Sequence, residues 1–209
     1  QHQVHAFSWP LLTASDGSKL GKTAGARTWL DPVKTSPYQL RQHFLQIADE
    51  DLRQQVLTFS LLPIPQIDEL LAAHDEAPHR RIGQRTLAHE LTALVHGNEA
   101  AKAADEAADV LFGGDPAHAS LAALEAVGRE VPSSRMTPVQ LVELVDVLVA
   151  TDLAQSKSDA RRTLEGSGYR CNGASIDVNT QLSDQILLHG RYLLLQRGKK
   201  SHHLVEVFS

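Results

Sequence analysis

The sequence predicts a mainly α-helical protein that ends in a small α+β unit, and three observations carry that prediction. From residue 37 to residue 127 apolar side chains recur near the 3.6-residue helical period, and prolines, serines, asparagines and glycines stand where helices begin and end. Asn172-Gly173 is the strongest short hairpin signal a sequence offers. The residues after it fall into short β-prone runs: Ile176-Asp177-Val178, Tyr192-Leu193-Leu194-Leu195 and Leu204-Val205-Glu206-Val207-Phe208.

Residues 1–35 have strand and loop character. Val4 to Leu12 is apolar-rich around Trp9-Pro10, and Ser15 to Gly25 is loop by composition. A short strand cannot bury itself alone, so this head is expected to be the end of a larger domain. Ser36-Pro37 is an N-cap followed by proline at the first helical position, and Tyr38, Leu40, Phe44, Leu45 and Ile47 continue the helix. Asp49-Glu50-Asp51 opens the next helix, where the macrodipole favours acids, and Pro63 stops it. Pro65 opens a third. Arg80 to His96 reads as a fourth with Gly97 at its C′ position, and Asn98 starts an alanine-rich fifth that reaches Phe112. Five or six packed helices over 37–127 are expected. Residues 128–136 read as a linker. Thr137-Pro138 then caps a helix through Leu141, Leu144, Val145, Leu148 and Val149. Ser156-Lys157-Ser158-Asp159 is a capping box opening a second helix that closes at Gly166.

The composition is ordinary for a globular protein, 42% apolar and 22% charged over 209 residues. No apolar run approaches the ~18 residues of a membrane span, so no membrane association is expected. Gln1 without a Met or a basic-then-apolar leader suggests a fragment rather than a signal peptide. The single cysteine, Cys171, rules out an internal disulfide and fits a reducing cytosol. The net charge of −5 is unevenly spread. Residues 1–151 carry twelve Lys and Arg against nineteen Asp and Glu, whereas residues 152–209 carry eight against six. A basic tail on an acidic body hints at a nucleic-acid-facing end.

The most informative segment is Asp16-Gly17-Ser18-Lys19-Leu20-Gly21-Lys22-Thr23. It is not a P-loop: that motif needs four residues between its glycines, and Gly17 and Gly21 have three. The loop alone also reads as a solvated turn with two ordinary lysines. It is similar, however, to the lysine signature loop of class I aminoacyl-tRNA synthetases, Lys-Met-Ser-Lys-Ser, commonly Lys-Phe-Gly-Lys-Ser/Thr in the tyrosine branch. Other blocks resemble the bacterial tyrosyl-tRNA synthetases in the same order. "WPLLTASDGSKLGKT" resembles the end of the catalytic domain, and "TWLDPVKTSPYQLRQHFLQIADEDL" the entry to the helical anticodon-binding domain. "LVHG" at Leu94 to Gly97 resembles a stretch of that helical domain. "SKSDARRTL…NG…GRYLLLQRGKK" resembles the C-terminal S-four-type RNA-binding domain. Leu20 replaces the usual aromatic. The family's His-x-Gly-His signature is absent, since His96-Gly97 and His189-Gly190 do not complete it.

The resemblance implies the end of a catalytic domain over 1–35, an α-helical anticodon-binding bundle over 36–127, a linker at 128–136 and a small αα-plus-β-sheet RNA-binding domain over 137–209. It implies a cytoplasmic tyrosine–tRNA ligase that consumes ATP, with Mg2+, and tyrosine to charge tRNA-Tyr. Lys19, Gly21 and Lys22 would bind ATP; Lys19, Lys22 and Thr23 would meet the charge that grows on the departing diphosphate. The full-length family member would be a homodimer. The tyrosine pocket would lie upstream of Gln1, so this chain is expected to be inactive alone. In the tail, Lys157, Arg161 and Arg162 share a broad helix face, and Arg197, Lys199 and Lys200 lie on a tight turn. If both clusters fall on one side they form a groove for structured RNA. Arg80, Arg81 and Arg85 are candidates in the helical part by charge only. The eleven histidines show no zinc-ligand spacing, so no protein-bound metal is expected. A rival expectation is a stand-alone RNA-binding or ribosome-associated module without catalysis, which leaves Lys19 to Thr23 without a job.

Overall fold

A computed structural model gives the architecture of residues 4–8 and 28–208. The chain forms two compact units, one holding Gln39–Leu91 and the described residues before Ser36, the other holding Ser36–Tyr38 and Thr92–Ser209. Eight α-helices and one five-stranded sheet among the described residues give the mainly α chain with a mixed C-terminal region that the sequence predicts.

Helices α1 (Pro37–Leu45), α2 (Asp49–Phe59), α3 (Ile64–Glu76) and α4 (Ile82–His96) begin and end close to the predicted signals. Asp49, Glu50 and Asp51 occupy the first turn of α2, where their charges meet the helix dipole. The core of the first unit is Leu52, Val56, Ile67, Leu71, Leu87 and Leu91, with Phe44 and Phe59 packed edge-on at 6.2 Å. Gly83 lets α4 approach α2, because a Cβ there would stand 2.5 Å from Leu52 Cδ2. Arg81 has a left-handed backbone, and its guanidinium donates to the carbonyls of Leu45 and Ile47, both at 2.8 Å. It therefore satisfies backbone oxygens left over at the end of α1.

The second unit holds α5 (Asn98–Leu111), α6 (Leu121–Glu130), α7 (Leu144–Ala150) and α8 (Lys157–Glu165). Its strands are β1 (Ser133–Met136), β2 (Tyr169–Cys171), β3 (Ala174–Ile176), β4 (Tyr192–Arg197) and β5 (Ser201–Val207), in the order β1-β5-β4-β2-β3. Only the β1–β5 pair is parallel. Side chains alternate across a strand, so β4 splits its apolar run between two cores. Leu193 and Leu195 join Val205, Tyr169 and Cys171 under α7 and α8. Tyr192 and Leu194 join Leu204 under α5 and α6. A sheet covered on both faces explains why Tyr192 to Leu195 is continuously apolar rather than alternating. Asn172 (φ 48°) and Gly173 (φ 83°) make the predicted two-residue turn between β2 and β3.

Three expectations need correction. Residues 128–136 are not a free linker: Gly128 to Glu130 finish α6, and β1 follows after Pro132. Strand β1 is short and polar, with only Met136 buried, and it exists because β5 lies beside it. A contact that far apart in sequence leaves no local pattern. The helix expected from Thr137 to Val149 is two pieces, a 3-10 turn over Pro138–Leu141 and α7, separated by an extended Glu143. The buried Leu141, Leu144 and Leu148 keep helical spacing across the break, so periodicity cannot see it. The strand expected over Ile176 to Val178 ends at Ile176, because Asp177 starts a turn closed by Thr180.

Candidate nucleic-acid interface

The predicted phosphate loop, Lys19, Gly21, Lys22 and Thr23, lies outside the described residues. The tail cations do have a geometry, and it divides them by sheet face. Arg197 follows Leu193 and Leu195 on the α7/α8 face. Its guanidinium donates to both carboxylate oxygens of Asp159 at 2.8 and 3.0 Å, to the Leu153 carbonyl at 2.8 Å and to the Thr163 hydroxyl at 3.3 Å. It also lies over the Tyr169 ring, whose hydroxyl donates to the same Leu153 carbonyl. Arg197 thus ties the end of β4 to the start of α8. Offering it to a phosphate would strand Asp159, so the expectation of an RNA-contacting Arg197 gives way to a positioning role.

Asp159 is the hub of this end. Ser156, the N-cap of α8, accepts from its amide at 3.2 Å, and its carboxylate accepts from the Gln155 amide at 3.1 Å. Hydrogen bonds from Arg197 and then from Gln155 push its pKa down to about 2. Arg162 reaches the same carboxylate at 3.3 Å but leaves 81% of its side chain exposed. Lys157 pairs with Asp146 at 2.6 Å, both more than half exposed. Arg161 is exposed and has no ion-pair partner among the described residues. Exposed pairs of this kind are weak and exchange readily with solvent or a phosphate.

Lys199 and Lys200 are exposed on the β4–β5 turn, which Gly198 (φ 59°) enters and which is held by its amide donating to Gly168 at 3.0 Å. No carboxylate is paired with either lysine among the described residues. On the α5/α6 face, the register aligns Arg170 with Gln196 and Gln196 with His202 across β2, β4 and β5. Sequence reading missed that row. The signal was present in the alternation: Gln196 continues the Tyr192 and Leu194 face just as Arg197 continues the other. His202 and His203 are both buried, and burial lowers the pKa of each. Cys171 is fully buried and its thiol is pushed up to about 12, so it packs as a small apolar group. Among the described residues no group of three or more His, Cys, Asp or Glu is placed to hold a metal ion. In the first unit Arg80 and Arg85 are exposed, while Arg81 is engaged as described above.

Residues 1–113 match the family described as tRNA synthetases class I (W and Y), and the chain belongs to that family. Residues 123–205 match the tyrosine–tRNA ligase C-terminal domain. A tyrosine–tRNA ligase of Anaeromyxobacter dehalogenans is 40% identical over 98% of this chain and 50% of its own length. One from Kineococcus radiotolerans is 44% identical over 96% and 48%, and one from Mycobacterium tuberculosis 43% over 95% and 47%. The chain therefore spans about half the length of the curated relatives it matches. A C-terminally truncated Aspergillus nidulans mitochondrial tyrosyl-tRNA synthetase is 34% identical over 41% of this chain and 25% of that one. Its TM-score of 0.40 is too low to bear on the fold.

Proposed function

We propose that this chain is the part of a tyrosine–tRNA ligase that meets the diphosphate and the tRNA. The observation that carries the reading is the co-linear match to bacterial ligases over almost the whole chain. In the complete cytoplasmic enzyme, a homodimer, ATP with its Mg2+ and tyrosine form tyrosyl-adenylate. Lys19 and Lys22 meet the charge that builds on the β- and γ-phosphates, with Thr23 adding a hydroxyl and Gly21 freeing the loop to close. Because that charge is largest in the transition state, the lysines act on rate more than on substrate affinity. Residues 36–127 approach the anticodon stem-loop. Residues 137–209 grip tRNA-Tyr near its elbow and long variable arm.

The described geometry supports the tail's part in this. Among the described residues Arg161, Lys199 and Lys200 have no ion-pair partner to break, and the Lys157 and Arg162 pairs are exposed enough to exchange. Each such contact releases counterions, so affinity should fall as salt rises. Gel-shift competition between tRNA-Tyr and a generic structured RNA, repeated across salt concentrations, tests the reading. tRNA-Tyr should win, and the double variant Arg161→Gln, Arg162→Gln should bind more weakly with a shallower salt dependence, by about one unit of slope per lost contact. Equal competition would sink the ligase assignment, and affinity indifferent to salt would sink the phosphate mechanism.

A further inference from the structure

The α5/α6 face of the sheet carries a feature that the tRNA-gripping role does not use. A cleft of about 870 Å³ opens over the Arg170–Gln196–His202 row, walled by the end of α5 at Phe112 and by the Lys199–Lys200 turn. That volume is within the usual range for ligand sites, about 300–1,000 Å³. Among the described residues three cations and no carboxylate line it, in a chain whose net charge is −5. None of the three has an ion-pair partner among the described residues, in contrast to Arg135, Lys157, Arg162, Arg191 and Arg197. On the apolar side, Phe112 is 77% exposed, which leaves an aromatic face uncovered at the rim beside Leu111 and Val131.

The floor holds a second, independent indication of a ligand. His202 is only 7% exposed, and its Nε2 is buried with no hydrogen-bond partner among the described residues. A buried polar atom without a partner costs free energy unless something fills the place. Beside it Gln196 brings an amide that both donates and accepts. A flat group with hydrogen-bonding edges satisfies this pair, a planar face suits Phe112, and an anion suits the cations.

We infer that this cleft takes one unpaired nucleotide of a bound RNA, its base against Phe112 and facing Gln196 and His202, its phosphate on Arg170, Lys199 and Lys200. The inference rests on the RNA-binding reading of the tail. Orientation follows from charge: the C-terminal end of α5 carries partial negative charge, which favours the donor groups of a base there and disfavours a phosphate. A neighbouring hollow of about 370 Å³ shares Gly113, Arg170 and Gln196, so the cleft continues along the surface. A continuing passage suits a residue within a chain, which must enter and leave. Unpaired bases in bulges and loops are what proteins commonly stack on aromatic side chains. The other main hollow of this unit, about 210 Å³, is floored by alanines and bordered by Glu99, Glu125 and Glu130 against one cation, Arg129, a net negative lining that disfavours a phosphate.

The test titrates the full chain with an RNA hairpin bearing one bulged adenosine, the same hairpin fully paired, AMP and inorganic phosphate. Affinity and the imidazole 15N shift of His202 are followed. The bulged hairpin should bind more tightly than the paired one by about tenfold and shift His202, and Phe112→Ser should erase that margin. Phe112 is exposed enough for the variant to fold, and Arg170→Gln provides a second exposed substitution that should weaken the bulged hairpin. Equal binding of both hairpins, untouched by Phe112→Ser, overturns the inference. The RNA-binding reading survives that result if Arg161→Gln, Arg162→Gln still weakens both hairpins, and falls with it if nothing does. A His202 shift reproduced in full by inorganic phosphate overturns the nucleotide assignment, and AMP binding as tightly as the bulged hairpin overturns the RNA source.

Discussion

Arg170 and Arg197 lie on neighbouring strands one register position apart, and they have opposite fates. Arg197 points under α8 and is held by Asp159, Leu153 and Thr163. Arg170 points over the other face, toward a cleft that no described carboxylate lines. The two differ in one thing, the parity of their position along a strand. A basic cluster in a sequence is therefore not yet a binding surface, because strand alternation sends half of it inward to work on the fold.

The comparison breaks most visibly at Arg197. Arg197→Met removes the donors on Asp159 and the Leu153 carbonyl and leaves a carboxylate only 12% exposed without its main partner. Leaving such a group unsatisfied is worse than deleting both partners. The thermal midpoint of the tail should fall by roughly 4–8 °C, and amide protons at the start of α8 should exchange faster. Arg162→Met, on the same carboxylate but exposed, should move it by no more than about 1 °C. Equal effects of the two variants would mean that Arg197 is no more structural than its neighbour.

Acid sharpens the same contrast. The Asp159 carboxyl is lowered to about 2 in the folded chain, against an ordinary aspartate near 4. A depressed carboxylate contributes stability that is complete above its unfolded pKa and is lost as pH falls through the folded one. Its contribution to the tail should therefore be flat above about pH 5 and should decay between about pH 4 and pH 2. Asp159→Asn should be less stable at neutral pH and should lack that share of the acid slope. Exchange rates of β4 and α8 amides against pH measure it, and an unchanged slope in Asp159→Asn would assign the acid sensitivity elsewhere.

What was legible in the sequence follows from the range of the interactions. Helix starts at Pro37, Asp49 and Asn98 are local events, set by a first-turn proline in one case and first-turn acids in the others, and they fall where the residues say. The Asn172-Gly173 hairpin is local as well. Strand β1 is not, since four polar residues become a strand only because β5 supplies the ladder. The same holds for the site. That Arg197, Lys199 and Lys200 sit on one turn was readable; that Arg197 meets Asp159, thirty-eight residues earlier, was not. The continuous apolar run Tyr192 to Leu195 did contain the clue. It means a sheet covered on both faces, and counting on by twos places Gln196 and Arg197 on opposite sides.

The smallest effect separates the position of a charge from the charge itself. Gly198 has φ 59°, a left-handed backbone that an alanine adopts at a cost of about 1 kcal/mol, and a Cβ there would meet nothing within 4 Å. The hydrogen bond from its amide to the Gly168 carbonyl survives the change. Gly198→Ala should thus lower the stability of the tail slightly while leaving Lys199 and Lys200 where they are, and RNA affinity should hold. Lys199→Gln, Lys200→Gln should do the reverse, lowering affinity and salt dependence with no loss of stability, because neither lysine has an ion-pair partner to lose among the described residues. Denaturant titration and RNA binding on the two variants read both quantities. If the glycine variant lost affinity as much as the lysine variant did, the turn's shape rather than its free cations would be what RNA recognises, and the division between structural and available charge would not describe this end of the molecule.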